Sequence, residues 1–249
     1  FVPISLADTV VLSRRDDGVV ALVDAPDGLT TENDLACRAA RALQAATGCR
    51  FGVDIRLHKR IPQGGGLGGG SSDAATTLLG LNRLWQLALP RADLLALALP
   101  LGADVPFFVH GQAALASGIG ERLLTVNLPT RWVVVAFPGV GVATGPVFSA
   151  PDLCRTTPGA KQAVFTLSHG HNDLQPVAER IEPPVGALRA AFSLAGCAEA
   201  RMTGSGACVF ALCTSHDAAH RLQQSLANDG WQAWVAQTLA QHPLRRFAS

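Results

Sequence analysis

The stretch from residue 61 to residue 75 reads Ile61-Pro62-Gln63-Gly64-Gly65-Gly66-Leu67-Gly68-Gly69-Gly70-Ser71-Ser72-Asp73-Ala74-Ala75. Six glycines surround one leucine, and two serines and a run of helix-forming residues follow. Glycine tolerates positive φ and lets the backbone approach a ligand closely. A loop of this kind that opens into a helix directs several free N–H groups and the positive end of the helix dipole at one point. That point suits a phosphate group, so the stretch predicts a nucleotide-binding loop.

Three other interpretations of the loop agree less well with the sequence. A Walker A loop ends in Gly-Lys-Ser/Thr, whereas Gly70 is followed directly by Ser71. A dinucleotide-binding loop needs an acidic residue at the end of the next strand, and the nearest candidate, Asp93, stands between Pro90 and a helical leucine run. A plain surface turn does not explain so many glycines, because ordering glycine is entropically costly.

The composition is typical of a well-packed globular enzyme. Of the 249 residues, 48% are apolar and 16% are charged. The formal net charge of +1 gives no electrostatic reason to expect nucleic acid or a membrane surface as a partner. Arg, Asp, Gly or Pro interrupts each apolar run before it reaches the length of a bilayer. We therefore expect no nucleic-acid partner and no membrane partner.

Cysteine and histidine give no sign of a metal site. The six cysteines show no C-x-x-C pairing and no zinc-like spacing with histidine. His169 and His171 are close in sequence, but no cysteine or acidic pattern nearby supports them as ligands. We expect the cysteines to be small buried hydrophobic residues in a reducing cytoplasm. They are Cys37, Cys49, Cys154, Cys197, Cys208 and Cys213.

Hydrophobic periodicity predicts a mixed chain of helices and strands. In the first half we expect a hairpin of residues 9–12 and 19–23 through Asp16-Asp17-Gly18, and a second hairpin at residues 113–126. A strand is predicted at residues 51–57, and helices at residues 35–46, 74–89 and 93–99. Pro129 and the apolar run after it suggest a domain boundary near residue 130. Beyond it we expect strands at residues 132–137, 207–213 and 231–238, and a helix at residues 216–228.

The glycine-rich loop closely resembles the phosphate loop of the GHMP kinases, a family of small-metabolite kinases that includes galactokinase, homoserine kinase and mevalonate kinase. Three further stretches carry the resemblance: Leu101-Gly-Ala-Asp-Val-Pro-Phe-Phe108, Pro138-Gly-Val140, and Arg201-Met-Thr-Gly-Ser-Gly-Ala-Cys-Val-Phe210. Their order and spacing agree over essentially the whole chain. The doubled Gly-Gly-Gly is most similar to one branch of the family, which phosphorylates the 2-hydroxyl of a cytidine diphosphate-linked methylerythritol in the non-mevalonate synthesis of isoprenoid precursors.

The resemblance implies an α+β fold of two domains. A nucleotide-binding domain would cover residues 1–129, and a smaller α/β sandwich domain that binds the substrate would cover residues 130–249, with the site in the cleft between them. The implied phosphate donor is ATP, the implied cofactor is Mg2+, and the partner is a small molecule. The protein would be a cytoplasmic monomer or homodimer. A homoserine or mevalonate type of kinase, or a nucleotide-binding protein without catalysis, remains an alternative.

Asp104 matches the catalytic aspartate of the family, in the run Gly-Ala-Asp-Val-Pro. Phosphoryl transfer needs one group that accepts the proton of the substrate hydroxyl. On the sequence alone, an Asp at this place also suits a helix cap. Phe148 matches the aromatic residue that stacks on the cytosine ring, although a lone Phe is more often a core residue. Thr144, Gly204 and Ser205 are expected to bind the rest of the substrate.

Backbone N–H groups from Gly64 to Ser72 are expected to surround the phosphates of ATP. Ser71 or Ser72 would either reach a phosphate oxygen or Mg2+, or cap the helix that follows. The family also places a lysine close to the base at the position of Lys59. The metal ligands are unknown at this stage. The residues expected to bind ATP are Lys59, Pro62, Gln63, Gly64, Gly65, Gly66, Leu67, Gly68, Gly69, Gly70, Ser71 and Ser72.

Two positions depart from the family pattern. Asn33-Asp34-Leu35 exchanges the polar pair of the usual Asp-Asn-Leu. A carboxylate cannot donate a hydrogen to adenine, so we expect Asn33 or the backbone to contact the base, or the pair only to cap the helix. The family's first-strand lysine, which orients the aspartate, is not among residues 1–249. Met202 is the only methionine, so we expect that lysine upstream of Phe1, and a polypeptide truly lacking it to be nearly inactive.

Overall fold

A three-stranded sheet forms the first part of the protein. The computed structural model describes residues 1–25, 28–155 and 170–248. The strands of this sheet are β1 (Thr9–Arg15), β2 (Val20–Leu22) and β3 (Gly52–His58). β3 lies in the middle, antiparallel to β1 and parallel to β2. Val53, Ile55 and Leu57 of β3 are buried, as the predicted period of two requires.

The hairpin predicted for residues 9–23 is wrong. β1 and β2 do not pair with each other, because β3 lies between them. A Cβ atom at Gly52 would overlap the backbone of Val19, so glycine is what lets β3 begin beside this turn. Arg15 then pairs with Asp54 across β1 and β3, at 2.8 Å. Contacts between residues so far apart in sequence leave no signal in a local turn motif.

Four helices follow in this part of the fold: α1 (Leu35–Thr47), α2 (Gly69–Leu84), α3 (Arg91–Ala98) and α4 (Val105–His110). α1 agrees with the prediction, since its caps are local. The Asp34 carboxylate accepts from the backbone N–H of Cys37 at 3.0 Å, and Gly48 ends the helix with a positive φ.

α2 differs from the predicted helix at both ends. It begins at Gly69, five residues before the predicted start at Ala74, and it ends at Leu84, five residues before the predicted end at Leu89. The Asn82 side chain explains the early end, because it donates to the carbonyl of Leu89 at 3.0 Å and accepts from the N–H of Leu89 at 2.9 Å. These bonds fix a turn in which Gln86 and Ala88 have positive φ, a conformation that no helix continues.

The hairpin predicted at residues 113–126 is confirmed. It consists of β4 (Ala114–Ser117) and β5 (Arg122–Thr125), which pair antiparallel. Gly118 and Gly120 take positive φ in the connecting turn.

A four-stranded antiparallel sheet forms the second part, with the order β7-β8-β6-β9. The strands are β6 (Trp132–Phe137), β7 (Arg201–Met202), β8 (Val209–Cys213) and β9 (Gln232–Gln237). The helices are α5 (Thr144–Ser149), α6 (Gln175–Ile181), α7 (Pro183–Leu194) and α8 (His216–Asn228). α8 has the predicted bounds, and the Ser215 side chain caps it by accepting from the N–H of Ala218 at 3.1 Å.

The two faces of this sheet have different neighbours. Val134 and Ala136 of β6 belong to a core with residues of α6, α7 and α8. Val133 and Val135, on the opposite face, pack in a separate apolar cluster with Leu6 and Ile61. Ile61 directly precedes the glycine-rich loop, so the outer face of the second sheet supports the base of that loop. Together the elements form the α+β fold that was expected.

Other expectations concern the membrane and metals. No helix among the described residues combines the length and the apolar character needed to cross a membrane. No group of three or more metal-binding side chains occurs in the described ranges. His169 lies outside those ranges, and His171 is 2.9 Å from Asp173. Among the described residues no cysteine forms a disulfide; Cys37, Cys208 and Cys213 are buried as expected, whereas Cys154 is exposed.

Candidate active site

The glycine-rich loop alternates between left-handed and other backbone conformations. Gly64, Gly66 and Gly68 have φ of 66°, 67° and 68°. Gly68 is the N-cap of α2, which begins at Gly69 and not at the serines. The alternative that Ser71 or Ser72 caps the helix is therefore wrong, because a left-handed glycine already ends the loop one turn earlier.

Six consecutive backbone N–H groups, from residue 66 to residue 71, have no acceptor in the part of the chain that the structure describes. Gly65, before them, donates to the carbonyl of Pro62 at 3.3 Å, and Ser72, after them, donates to that of Gly68 at 2.8 Å. Within the range from Gly64 to Ser72 that was expected to donate to a ligand, the N–H groups of Gly65 and Ser72 are therefore already used inside the protein. Alternating backbone conformations followed by a helix N-terminus make a concave nest of donors that suits an anion.

The first glycine triplet faces the second sheet. The Gly64 carbonyl accepts from the N–H groups of Val142 at 3.2 Å and Ala207 at 2.9 Å, and the Gly65 carbonyl accepts from Cys208 at 3.0 Å. Thr203 Oγ1 donates to the Gly66 carbonyl at 3.1 Å. The carbonyls of this triplet therefore join the loop to the second half of the protein. The N–H groups of residues 66–71 have no acceptor among the described residues.

The loop of residues 203–206 lies directly against this junction. A Cβ atom at Gly204 would be 2.8 Å from the Gly66 carbonyl oxygen. Asn172 holds the loop from the other side, because its side-chain amide donates to the carbonyls of Met202 at 3.0 Å and Gly204 at 2.8 Å. Asn172 was not predicted from the sequence, since no motif links it to residues thirty positions away. Arg201, the first residue of the stretch that contains this loop, donates to the carbonyl of Gly170 at 2.8 Å.

The structure brings three of the four expected substrate residues to this loop. The hydroxyls of Thr144 and Ser205 are 2.9 Å apart. Gly204 is the residue before Ser205, and its φ is 55°. Phe148 lies one turn after Thr144 on α5 and is 50% exposed. A core position for Phe148 is thereby excluded, and its ring is available for stacking.

Asp104 occupies the N-cap position of α4, as the helix-cap alternative expects, but its side chain makes no capping hydrogen bond. In the same helix, the Phe108 ring would be 2.9 Å from a Cβ atom at Gly68, which places α4 against the helix end of the glycine-rich loop. Asp104 is exposed as a residue, and partial loss of hydration raises the pKa of its carboxyl group above the ordinary value.

The side chain of Lys59 points to two carboxylates. It pairs with Asp8 and, at 2.6 Å, with Asp73. Asp8 and Asp73 were not predicted as partners of Lys59, because neither lies in a recognisable charge pattern with it in the sequence. Asp34 is occupied as the N-cap of α1, and Asn33 accepts from the N–H of Thr30 at 2.8 Å. Helix capping, one of the alternatives for this pair, is thus what Asp34 does.

Mg2+ fits the hydroxyl groups at the start of α2. Ser71 and Ser72 are partly exposed, and their hydroxyls make no hydrogen bond within the described residues. Mg2+ prefers oxygen ligands and is commonly held by one or two protein groups together with substrate phosphates. These two serines next to the free N–H groups provide such oxygens.

Comparison with known proteins gives consistent matches. Residues 34–112 match the N-terminal domain of GHMP kinases, and residues 149–232 match the C-terminal domain of GHMP kinases. The 4-diphosphocytidyl-2-C-methyl-D-erythritol kinase of Thiobacillus denitrificans is 53% identical over 244 residues, which cover 98% of this chain and 87% of the relative. The enzyme of the same name from Aromatoleum aromaticum is 51% identical over 238 residues, covering 96% of this chain and 83% of the relative.

Solved structures give the same result. A crystal structure of 4-(cytidine 5'-diphospho)-2C-methyl-D-erythritol kinase superimposes with a TM-score of 0.83 at 37% identity, covering 95% of this chain and 88% of that chain. Homoserine kinase from Cytophaga hutchinsonii superimposes with a TM-score of 0.66 at 19% identity, covering 94% of this chain and 86% of that chain. The second match shows a shared fold only.

Proposed function

This chain belongs to the GHMP kinases, and on that premise we propose that it transfers the γ-phosphoryl group of ATP to the 2-hydroxyl of 4-diphosphocytidyl-2-C-methyl-D-erythritol. The acceptor is an alcohol, and the reaction serves isoprenoid precursor synthesis. The specific substrate follows from relatives about 50% identical over nearly the whole chain.

One observation carries the phosphate-binding part of the proposal: the free N–H groups of residues 66–71 at the start of α2. They would bind the phosphates of ATP, with the positive end of the helix dipole behind them. Donors that are fixed before the reaction stabilise the charge of the transferred group without reorganising. Pro62, Gln63, Gly64 and Gly65 shape the entrance of the loop, and the hydroxyls of Ser71 and Ser72 would contact Mg2+ or a phosphate oxygen.

Asp104 would accept the proton of the substrate hydroxyl as the oxygen attacks the γ-phosphorus. Loss of hydration raises the pKa of the Asp104 carboxyl group, which makes the carboxylate a better base. Asp104 directly precedes α4, the helix whose Phe108 ring packs against Gly68, the last residue of the loop before α2. Bound Mg2+ would supply neutralisation of the phosphate charges.

The cytidine end of the substrate would lie at α5. The exposed Phe148 ring offers a stacking surface for cytosine, and the hydroxyls of Thr144 and Ser205 offer hydrogen bonds. Stacking of a base on an aromatic ring contributes about 1–3 kcal/mol. Replacing Phe148 with alanine should therefore raise the KM for the substrate by about five- to 150-fold while the KM for ATP stays unchanged.

Cysteines that form no disulfide within the described residues, and the use of ATP, fit a reducing cytoplasm, which is where we place the protein. The proposal includes no nucleic-acid or membrane partner, and the active unit is a monomer or homodimer.

A coupled assay of ADP release tests this function. The protein as expressed from its own gene is supplied with MgATP and one of three alcohols: 4-diphosphocytidyl-2-C-methyl-D-erythritol, homoserine or mevalonate. We expect rapid ADP release with the first alcohol only. Faster turnover of homoserine or mevalonate, or ATP binding without turnover of any alcohol, would contradict the proposal.

A further inference from the structure

A buried group of three charged side chains lies beneath the glycine-rich loop. Asp8 precedes β1, Lys59 follows β3, and Asp73 lies in the second turn of α2. The Asp8 and Asp73 side chains are 2% and 5% exposed, and that of Lys59 is 16% exposed. Lys59 Nζ bridges the two carboxylates. Taking these charges out of water is costly, and the phosphate contacts proposed above do not use them.

Asp8 holds the chain that enters the loop. One of its carboxylate oxygens accepts from the backbone N–H groups of Arg60 at 2.6 Å and Ile61 at 2.8 Å. The other oxygen would be 3.4 Å from a Cβ atom at Gly69, and the Ile61 side chain would be 3.0 Å from that same atom. Asp8 and Ile61 thus lie directly against the first residue of α2, where the free N–H groups are.

Asp73 holds the chain that leaves the loop. It belongs to α2, four residues after Gly69, and its carboxylate reaches Lys59 at 2.6 Å. Lys59 is therefore linked on one side to the helix that bears the free N–H groups, and on the other side, through Asp8, to the backbone at Arg60 and Ile61. The three side chains connect the two ends of the loop across its base.

We propose that Asp8, Lys59 and Asp73 form a positioning triad that fixes the two ends of the glycine-rich loop relative to each other, so that the N–H groups of residues 66–71 converge on the phosphates of ATP. The inference rests on the proposed function. The triad acts through the loop and does not touch the nucleotide with its side chains. The Lys59 charge is already balanced by two carboxylates, so this ammonium group is not a free cation available for a phosphate.

The main variant replaces Lys59 with methionine and Asp73 with asparagine together. Removing Lys59 alone would leave two uncompensated buried carboxylates, whereas the double variant K59M/D73N leaves one carboxylate, that of Asp8, with its two backbone donors. The control is Arg189→Met, which removes another partly buried ion pair, with Glu179, from the second part of the fold. Binding of MgATP is measured by calorimetry, and KM for each substrate and kcat by ADP release.

For K59M/D73N we expect binding of MgATP weakened by about ten-fold or more, with KM for the alcohol within about two-fold of the wild-type value, because misplaced donors lose their ligand steeply. The control variant Arg189→Met should change neither the binding of MgATP nor the KM for the alcohol. A folded double variant that binds MgATP as tightly as the wild type overturns the proposal. If the double variant does not fold, the single variant Asp8→Asn decides.

The variant Asp8→Asn also distinguishes a positioning role of Lys59 from direct contact between Lys59 and the nucleotide. If Lys59 served the nucleotide directly, weakening its pair with Asp8 would leave MgATP binding unchanged or tighten it. Positioning predicts weaker binding, since the Arg60 and Ile61 donors lose their charged acceptor. Unchanged or tighter binding in Asp8→Asn overturns the triad. Calorimetry needs no alcohol, so a wild-type protein that binds MgATP but turns over none of the alcohols would refute the proposed reaction without deciding the triad.

Discussion

At the scale of single residues, the proposed chemistry uses side chains that make no capping bond and do not lie in the core. Asp104 stands at a helix start and makes no capping bond, and the Phe148 ring lies half in solvent. Asp34, by contrast, is fully engaged as a cap. The sequence could suggest each of these residues by its motif, but only the packing decides which carboxylate or ring is free. The structure separates Asp104 from Asp34 in this way.

Replacing Asp104 with asparagine should lower kcat by about 10²–10⁴-fold, the usual contribution of a positioned general base. KM for ATP should change little, since the N–H groups of residues 66–71 are untouched. Steady-state kinetics by ADP release measures both. A kcat within a few-fold of the wild-type value would exclude Asp104 as the base.

Asp73 should make stability depend on pH. Burial raises the pKa of Asp73 to about 6, against the lowering effect of Lys59. Burial also opposes the charge on Lys59, but the two carboxylates outweigh this and raise the pKa of Lys59. Because the folded-state pKa of Asp73 exceeds the ordinary value near 4, its contribution is fully present below about pH 4 and is lost as pH rises through about 6.

A shift of about two pKa units corresponds to ~3 kcal/mol. The free energy of unfolding of the wild type, relative to that of Asp73→Asn, should therefore fall by about 2 kcal/mol between pH 4 and pH 7, which is most of this total. Urea denaturation of both proteins across this range gives the difference. A difference that stays constant or grows with pH would contradict this assignment.

At the scale of elements, the predictions succeed where the signals are local. α1 and α8 have caps within one turn of their ends, and both were predicted closely from the sequence. β2 and β3 lie side by side only because Gly52 fits against Val19, a distant contact that the predicted hairpin could not include. The sequence predicts the glycine-rich loop, but the division of this loop into a triplet that joins the two halves and a free donor segment depends on residues 203–208.

Gly66→Ala should show that the loop is built against the second half of the protein. The residue has a φ of 67°, and a Cβ atom would overlap the Thr203 carbonyl and lie 2.8 Å from that of Gly206. Gly139→Ala is the matched control, because Gly139 also has a positive φ, of 82°, but its Cβ would meet nothing within 4 Å.

The control isolates the backbone strain, which costs about 1–2 kcal/mol. Gly66→Ala should cost clearly more in the free energy of unfolding and weaken MgATP binding, whereas Gly139→Ala should leave binding unchanged. Urea denaturation and calorimetry measure the two effects. Equal losses in both variants would contradict the close packing of the loop.

At the scale of the whole molecule, the described residues form three apolar clusters, and the candidate site lies beside the third. One cluster fills each half, and a third joins Ile61 and Leu67 of the loop region to the outer face of the β6-β8-β9 sheet. We keep the division near residue 130 as a proposal. Two of the described segments cross this division. The N-terminal segment reaches the second half, where Ile4 pairs with Thr238 beside β9. The C-terminal segment returns to the first half, where Leu244 and Phe247 pack against its core. A reading of the chain in order gives no sign of these crossings.

The C-terminal crossing should depend on Arg91. Its guanidinium donates to the carbonyls of Val109 and Ala248, each at 2.6 Å, and to that of Arg245. Arg91→Met leaves these acceptors unpaired, so we expect a loss of about 2–3 kcal/mol in the free energy of unfolding. Arg180→Met, which removes an exposed pair with Asp152, should cost at most about 1 kcal/mol. Urea denaturation compares them, and equal costs would contradict the role of Arg91.

The most direct measurement is a crystal structure of the protein with Mg2+ and a non-hydrolysable ATP analogue. We predict phosphate oxygens about 3 Å from several backbone nitrogens of residues 66–71, and the terminal phosphate facing the Asp104 carboxylate. An analogue bound elsewhere, or phosphates held by side chains while those N–H groups face only solvent, would contradict the account.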